Sequence, residues 1–182
     1  MRVQLAICAL AVLLAALCAK AQYPSTVYGV DVSTYVSQSQ FSCLRSDNLT
    51  FAVVRAYQSI GQPDPNAPAT VANAWAGGLA HVDVYMFPCP TCGNPAGQVQ
   101  DMMDNLNRHG TKFGMLWLDI EGPQYWTSSY GDNQGFFEGL VNEARALGIH
   151  LGIYTSASQW VPIFGGSYSG GSAYPLWYAH YD

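Results

Sequence analysis

The chain has 182 residues, of which 49% are hydrophobic, 13% aromatic and only 10% charged, with a formal net charge of -5. Globular domains average roughly 25% charged residues, whereas disordered chains need much charge and few aromatics, so the composition excludes a disordered chain and the length fits one ordinary domain. No Lys/Arg cluster supplies a basic patch, so nucleic acid is not an expected partner.

Met1-Arg2 gives a short positive start, and Leu5 to Cys18 is nearly unbroken Ala, Leu, Val, Ile and Cys. Ala19-Lys20-Ala21 then fits an A-x-A cleavage site, and the whole reads as a secretory signal peptide over residues 1–21. The apolar run is too short to span a bilayer comfortably. Residues 22–182 are read as one exported, soluble domain, expected to be monomeric and without membrane attachment. Cys8 and Cys18 leave with the signal, and Cys43, Cys89 and Cys92 remain, which allows at most one internal disulfide. Asn48-Leu49-Thr50 is an N-glycosylation acceptor.

From there, β-rich runs alternate with helical patterns. Strands are expected at Val27–Ser33, Phe51–Gln58, Val82–Phe87, Phe113–Glu121, His150–Ser156 and Pro175–Tyr181. Helices are expected at Gln38–Ser46, Ala69–Leu79, Asn94–His109 and Asp132–Leu147, with a short turn of helix at Ser158–Phe164. Asn94-Pro95 opens the third as a cap followed by Pro at the first helical position. Asp132 and Gly148 bracket the fourth, whose apolar residues Phe136, Phe137, Leu140, Val141, Ala144 and Leu147 keep close to helical period. Gly165 to Ser172 reads as a surface loop. Such alternation implies βαβ units and a parallel sheet: five βα units and then a sixth strand.

The segment Leu116-Trp117-Leu118-Asp119-Ile120-Glu121 carries the densest chemistry. Strand side chains alternate faces, so Leu116, Leu118 and Ile120 turn toward the helices while Trp117, Asp119 and Glu121 turn inward. Two carboxylates stepping toward a strand's C-terminal end sit where α/β barrels keep their active sites. Crowding and aromatic neighbours push such carboxyl pKa values apart, so that one acts as an acid while the other stays charged. Asp31 ends the first strand in the same way. Tyr57, Tyr85, Phe87, Tyr154 and Trp177 stand at the equivalent ends of other strands. An acidic floor with aromatic walls suits a sugar chain, and Tyr57, Tyr85, Tyr154 and Trp177 are the candidate substrate-binding residues. No Ser-His-Asp order, HExxH or phosphate loop competes. His81, His109, His150 and His180 show no ligand spacing, so neither metal nor cofactor is expected.

YGVDVS, LWLDIEG, HLGIYTS and PLWYAHYD together resemble glycoside hydrolase family 25, the Chalaropsis-type lysozymes, and within it the invertebrate, nematode-type branch. The resemblance runs from Val27 to Asp182. It implies a TIM-like modified (β/α) barrel of five βα units followed by helix-free strands. It also implies a secreted muramidase that cleaves the β-1,4 bond between N-acetylmuramic acid and N-acetylglucosamine in bacterial peptidoglycan, in defence or digestion. On the same grounds Glu121 is the general acid, Asp119 stabilises the developing cation or assists through the substrate's acetamido group, and Asp31 shapes the electrostatics of the site. This is the two-carboxylate logic of glycosidases.

Two features of the chain stand apart from that pattern. The family carries a further acidic residue on a later strand, and this chain ends at Asp182, directly after its sixth strand. An eight-stranded barrel closes by pairing its last strand with its first, so the last two strands are missing from the count and the chain is expected to be a shortened product. The other feature is Cys89-Pro90-Thr91-Cys92 between strand and helix, which is also the layout of a thioredoxin-like redox site, but the exported context argues for a structural disulfide instead. Three readings follow: a muramidase, a non-catalytic glycan-binding protein on the same fold, and a thiol oxidoreductase.

Overall fold

The computed structural model describes residues 26–180; the expected signal segment 1–21 and Asp182 lie outside the described residues. Apolar side chains recurring at two spacings build two layers, a sheet and a row of helices. The order is β1 (Tyr28–Val32), α1 (Gln38–Ser46), β2 (Leu49–Gln58), β3 (Gln62–Pro63), α2 (Ala67–Ala76), β4 (His81–Met86), α3 (Pro95–Arg108), β5 (Leu116–Asp119), α4 (Tyr130–Ala146), β6 (Leu151–Thr155), α5 (Ala157–Phe164) and β7 (Leu176–Tyr178). The strands run in the order β1-β2-β4-β5-β6-β7, all pairs along this path parallel, with β3 folded back antiparallel on β2. The sheet curls into a half-barrel with the helices outside. Among the described residues it does not close, since β1 and β7 form the two ends of the path. Leu176 and Tyr178 on β7 are accordingly 58% and 49% exposed.

One parity of each strand feeds the core. Ala52, Val54, Val84, Met86, Leu116, Leu118 and Ile153 pack against Phe41, Val99, Met102, Phe137 and Leu140 of the helices. The other parity lines the inside of the half-barrel in aligned rows. Arg55, Tyr85, Trp117 and Gly152 form one row, and Asp119, Tyr154 and Trp177 form the next.

Several element ends differ from the sequence reading, each for a local reason. Helix α4 starts at Tyr130 because Ser129, not Asp132, is the cap: its side chain accepts the Asp132 N–H. Asp132 then sits in the first turn, where a negative charge favours the helix dipole. Helix α2 begins at Ala67, two residues early, because Pro68 is tolerated in a first turn. It ends at Ala76, leaving Leu79 beyond Gly77 and Gly78. Strand β5 begins only at Leu116, since the Asp83 side chain takes the Met115 N–H at 2.9 Å. The β3 hairpin and the short 3-10 turns at Pro90–Cys92 and Pro123–Tyr125 carry no strong pattern and were not expected.

Cys89 and Cys92 form a disulfide, and Cys43 is free and exposed. The loop that carries the bond is stitched to α3 by Gln98. Its Oε1 accepts the Cys89 N–H (3.0 Å), and its amide NH2 donates to the carbonyls of Cys89 (2.8 Å) and Gly93 (2.7 Å). A Cβ at Gly61, whose φ is +78°, would lie 2.8 Å from the Cys92 sulfur, so the bond packs directly on the β2–β3 turn. Because the loop closed by the bond is so short, replacing both cysteines by serine should lower the unfolding free energy by only about 2 kcal/mol. Urea unfolding under non-reducing conditions checks this, and glycan-directed chemistry should be unaffected.

Candidate active site

The C-terminal ends of the strands meet around a pocket of about 160 Å³ lined by Asp31, Tyr85, Asp119, Glu121, Tyr154 and Trp177. That is several times the roughly 30 Å³ share of a water molecule, enough to admit part of a substrate. Asp31 comes from β1, Tyr85 from β4, Asp119 and Glu121 from β5 and its extension, Tyr154 from β6 and Trp177 from β7. Trp177 anchors the aromatic wall, with ring centroids 4.7 Å from Tyr154 and 5.9 Å from Trp117 in edge-to-face contact. These six are all among the residues singled out from the sequence.

Tyr57, the seventh, does not reach the pocket. Its parity on a regular strand would turn it inward. The pairing of β2 with β4 slips between Arg55 and Tyr57, setting Arg55 beside Tyr85 but Tyr57 beside Met86. Such a bulge re-aims the following side chain, and Tyr57 joins the helix-facing core at 1% exposure. Its role as a sugar-binding residue is therefore withdrawn.

Glu121 lies two residues past the end of β5, yet its alternation with Asp119 is preserved because the extension is fastened on both sides. The Ile120 N–H donates to the Tyr154 carbonyl (2.9 Å), and the Thr155 hydroxyl donates to the Ile120 carbonyl (2.7 Å). The Trp126 indole N–H donates to the Glu121 carbonyl (3.0 Å), with Trp126 itself held edge-on by Phe136 and Phe164. Gly122, at φ +64°, then turns the chain, and its N–H donates to Gln159 Oε1 (2.8 Å).

Asp31 is held through its neighbours. Arg55 pairs with Asp64 at 2.8 Å, and its Nη2 donates to the Ser33 carbonyl (2.7 Å), pinning the chain just after β1. The sequence reading missed both residues, although a lone Arg inside FAVVRAYQ on the inward parity is a usable signal.

No cationic side chain lines the pocket among the described residues. Asp119 is 6% exposed and its Oδ1 has no hydrogen-bond partner. Burial, then the charges of Glu121 and Asp31, hold its carboxyl well above the ordinary carboxylate range. Glu121 is also raised, first by burial and then by Asp31. Tyr85 is pushed up to about 12, mainly by burial and by Asp119. The pocket thus favours holding protons on carboxyl groups, as a general acid requires. Among the described residues no group of three or more His, Cys, Asp or Glu is arranged to hold a metal ion.

A family described as "Lysozyme-like protein 1" matches residues 22–182. The chain is 56% identical over 158 residues to the Dictyostelium discoideum protein "Probable GH family 25 lysozyme 2", covering 87% of this chain and 74% of that one. It is 40% identical over 156 residues to "Lysozyme-like protein 5" of Caenorhabditis elegans, covering 85% and 72%. The family 25 lysozyme structure from Aspergillus fumigatus superposes with a TM-score of 0.69 at 24% identity, over 86% of this chain and 78% of that one.

The raised carboxyl groups have a consequence for stability. A carboxyl whose folded pKa exceeds its unfolded value binds more protons in the folded state, so its contribution is full at low pH and fades as pH rises through the folded value. Asp119→Asn removes the buried charge, so this variant should melt at a higher temperature than the parent at neutral pH and show little gain at pH 4. Thermal unfolding at the two pH values reads the difference.

Proposed function

As the chain belongs to the lysozyme-like proteins of glycoside hydrolase family 25, we propose that it is a secreted muramidase, with Glu121 as general acid on the bond between N-acetylmuramic acid and N-acetylglucosamine of peptidoglycan. The observation that carries this reading is the convergence of Asp31, Asp119 and Glu121 in one pocket walled by Tyr85, Tyr154 and Trp177.

Each group has a task in that chemistry. Glu121, whose hold on its proton is strengthened by burial and by Asp31, donates that proton to the leaving oxygen. Asp119, deeper and unpartnered at Oδ1, faces the sugar carbon where positive charge develops. It accepts the substrate's acetamido N–H or, once ionised, balances that charge. Asp31 raises the proton affinity of both. Trp177 and Tyr154 offer ring faces to the apolar side of the sugar. Bacterial cell walls are then the partner, and the apolar start of the chain supports export.

Glu121→Gln keeps the shape and removes the proton, so the release of reducing ends from peptidoglycan should fall by about 10²–10⁴-fold. Asp119→Asn should also slow the reaction. In the parent, activity should decline as pH rises through the raised Glu121 value, because the acid must be protonated to act. A Glu121→Gln protein that lyses cell walls at the parental rate contradicts the proposal, as does a parent protein that binds glycan and releases no reducing ends.

A further inference from the structure

The inner face of the half-barrel carries a carboxylate that the chemistry proposed above does not use. Asp83 stands on β4 one step below Tyr85, on the same side of the strand. Its two oxygens are committed to the neighbouring chain: Oδ1 accepts the Met115 N–H (2.9 Å) and Oδ2 accepts the Trp117 indole N–H (2.9 Å). Gly114 makes this close approach possible, since a Cβ there would lie 2.6 Å from Asp83 Oδ1. The Trp117 ring is also seated against the bare Cα of Gly152 on β6, where a Cβ would lie 2.4 Å from it. Trp117 in turn meets Trp177 edge to face, with ring centroids 5.9 Å apart at 80°. Among the described residues β7 pairs on one side only, with β6. Trp177 therefore has no further strand to pack on there, and rests against the rings of Trp117 and Tyr154.

We infer that Asp83 is a positioning residue for the sugar-binding wall, holding the Trp117 indole in the orientation that sets Trp177 against the pocket. The inference rests on the muramidase reading, in which Trp177 offers its ring to the sugar. A carboxylate suits the place because two donors at fixed positions need two acceptor oxygens. An amide of the same shape supplies one oxygen and turns its NH2 toward the other donor, so whichever way it points one N–H loses its partner. Asp83 does not line the pocket itself, so it acts on how tightly glycan is held and not on the proton transfer. Loss of a contact shared by the bound substrate and the transition state raises KM and leaves kcat.

The test compares the full chain with Asp83→Asn and with Gly114→Ala, the second of which keeps the carboxylate but displaces it. Release of reducing ends from peptidoglycan should show KM raised about three- to ten-fold in both, the weight of one edge-to-face ring pair, with kcat changed less than KM. Trp117→Phe removes the indole donor, so Asp83→Asn added to it should leave KM where Trp117→Phe alone puts it. Circular dichroism reads the rings directly, because two indoles at a fixed angle couple. The signal that Trp177→Phe removes from the parent spectrum should be weaker in Asp83→Asn. An unchanged KM in both variants, even where they melt earlier, overturns the inference; so does a loss confined to kcat, or a ring signal identical in the parent and in Asp83→Asn. A parent that shows the ring signal and releases no reducing ends brings down the muramidase reading, and the role of Asp83 at the site with it.

Discussion

Everything at this site depends on holding a second carboxyl, Glu121, past the end of a strand that already buries Asp119. A charged group removed from water is costly unless it is paired or neutralised, and no cation lines the pocket among the described residues. The protein tolerates this because the surroundings are fixed independently of the charges. Ile120 is tied to β6 by two hydrogen bonds, and Trp126 and Gln159 hold the backbone on either side of Glu121. The backbone that carries both carboxyls is thereby held in place. The protonated state becomes the way out, and it is also the state that catalysis by a general acid needs.

The helix layer serves the same end at a distance. Trp126 can hold the Glu121 carbonyl only because Phe136 of α4 and Phe164 of α5 grip its ring. Asn133, buried in α4, accepts the Thr127 N–H and donates to the carbonyls of Thr127 and Ile163, locking the turn after β5 to both helices. On the opposite wall Arg55 spans Asp64 and Ser33, so its charge is spent on positioning the chain after Asp31.

Much of this was legible in the sequence. The D-x-E parity survives into the structure because hydrogen bonds extend the β geometry beyond the strand, and the alternation of apolar runs sets the parallel order of strands. What stayed hidden has a common cause. The bulge between Arg55 and Tyr57 leaves the hydrophobic alternation intact, so nothing in the residues announced that Tyr57 would turn into the core. The pairing of Arg55 with Asp64 depends on a hairpin strand two residues long, too short to give a period. Ser129 displaced Asp132 as cap because both are good cap formers, and only tertiary packing of the turn chooses between them.

Titration of the Glu121 carboxyl carbon by NMR, in the parent and in Asp31→Asn, tests the electrostatic core of this account most directly. The account predicts a parental midpoint above the ordinary 4.5. It predicts that Asp31→Asn lowers that midpoint only partway, because burial is the larger cause and Asp31 the smaller. A parental midpoint at or below 4.5, or one that Asp31→Asn leaves unmoved, would contradict it.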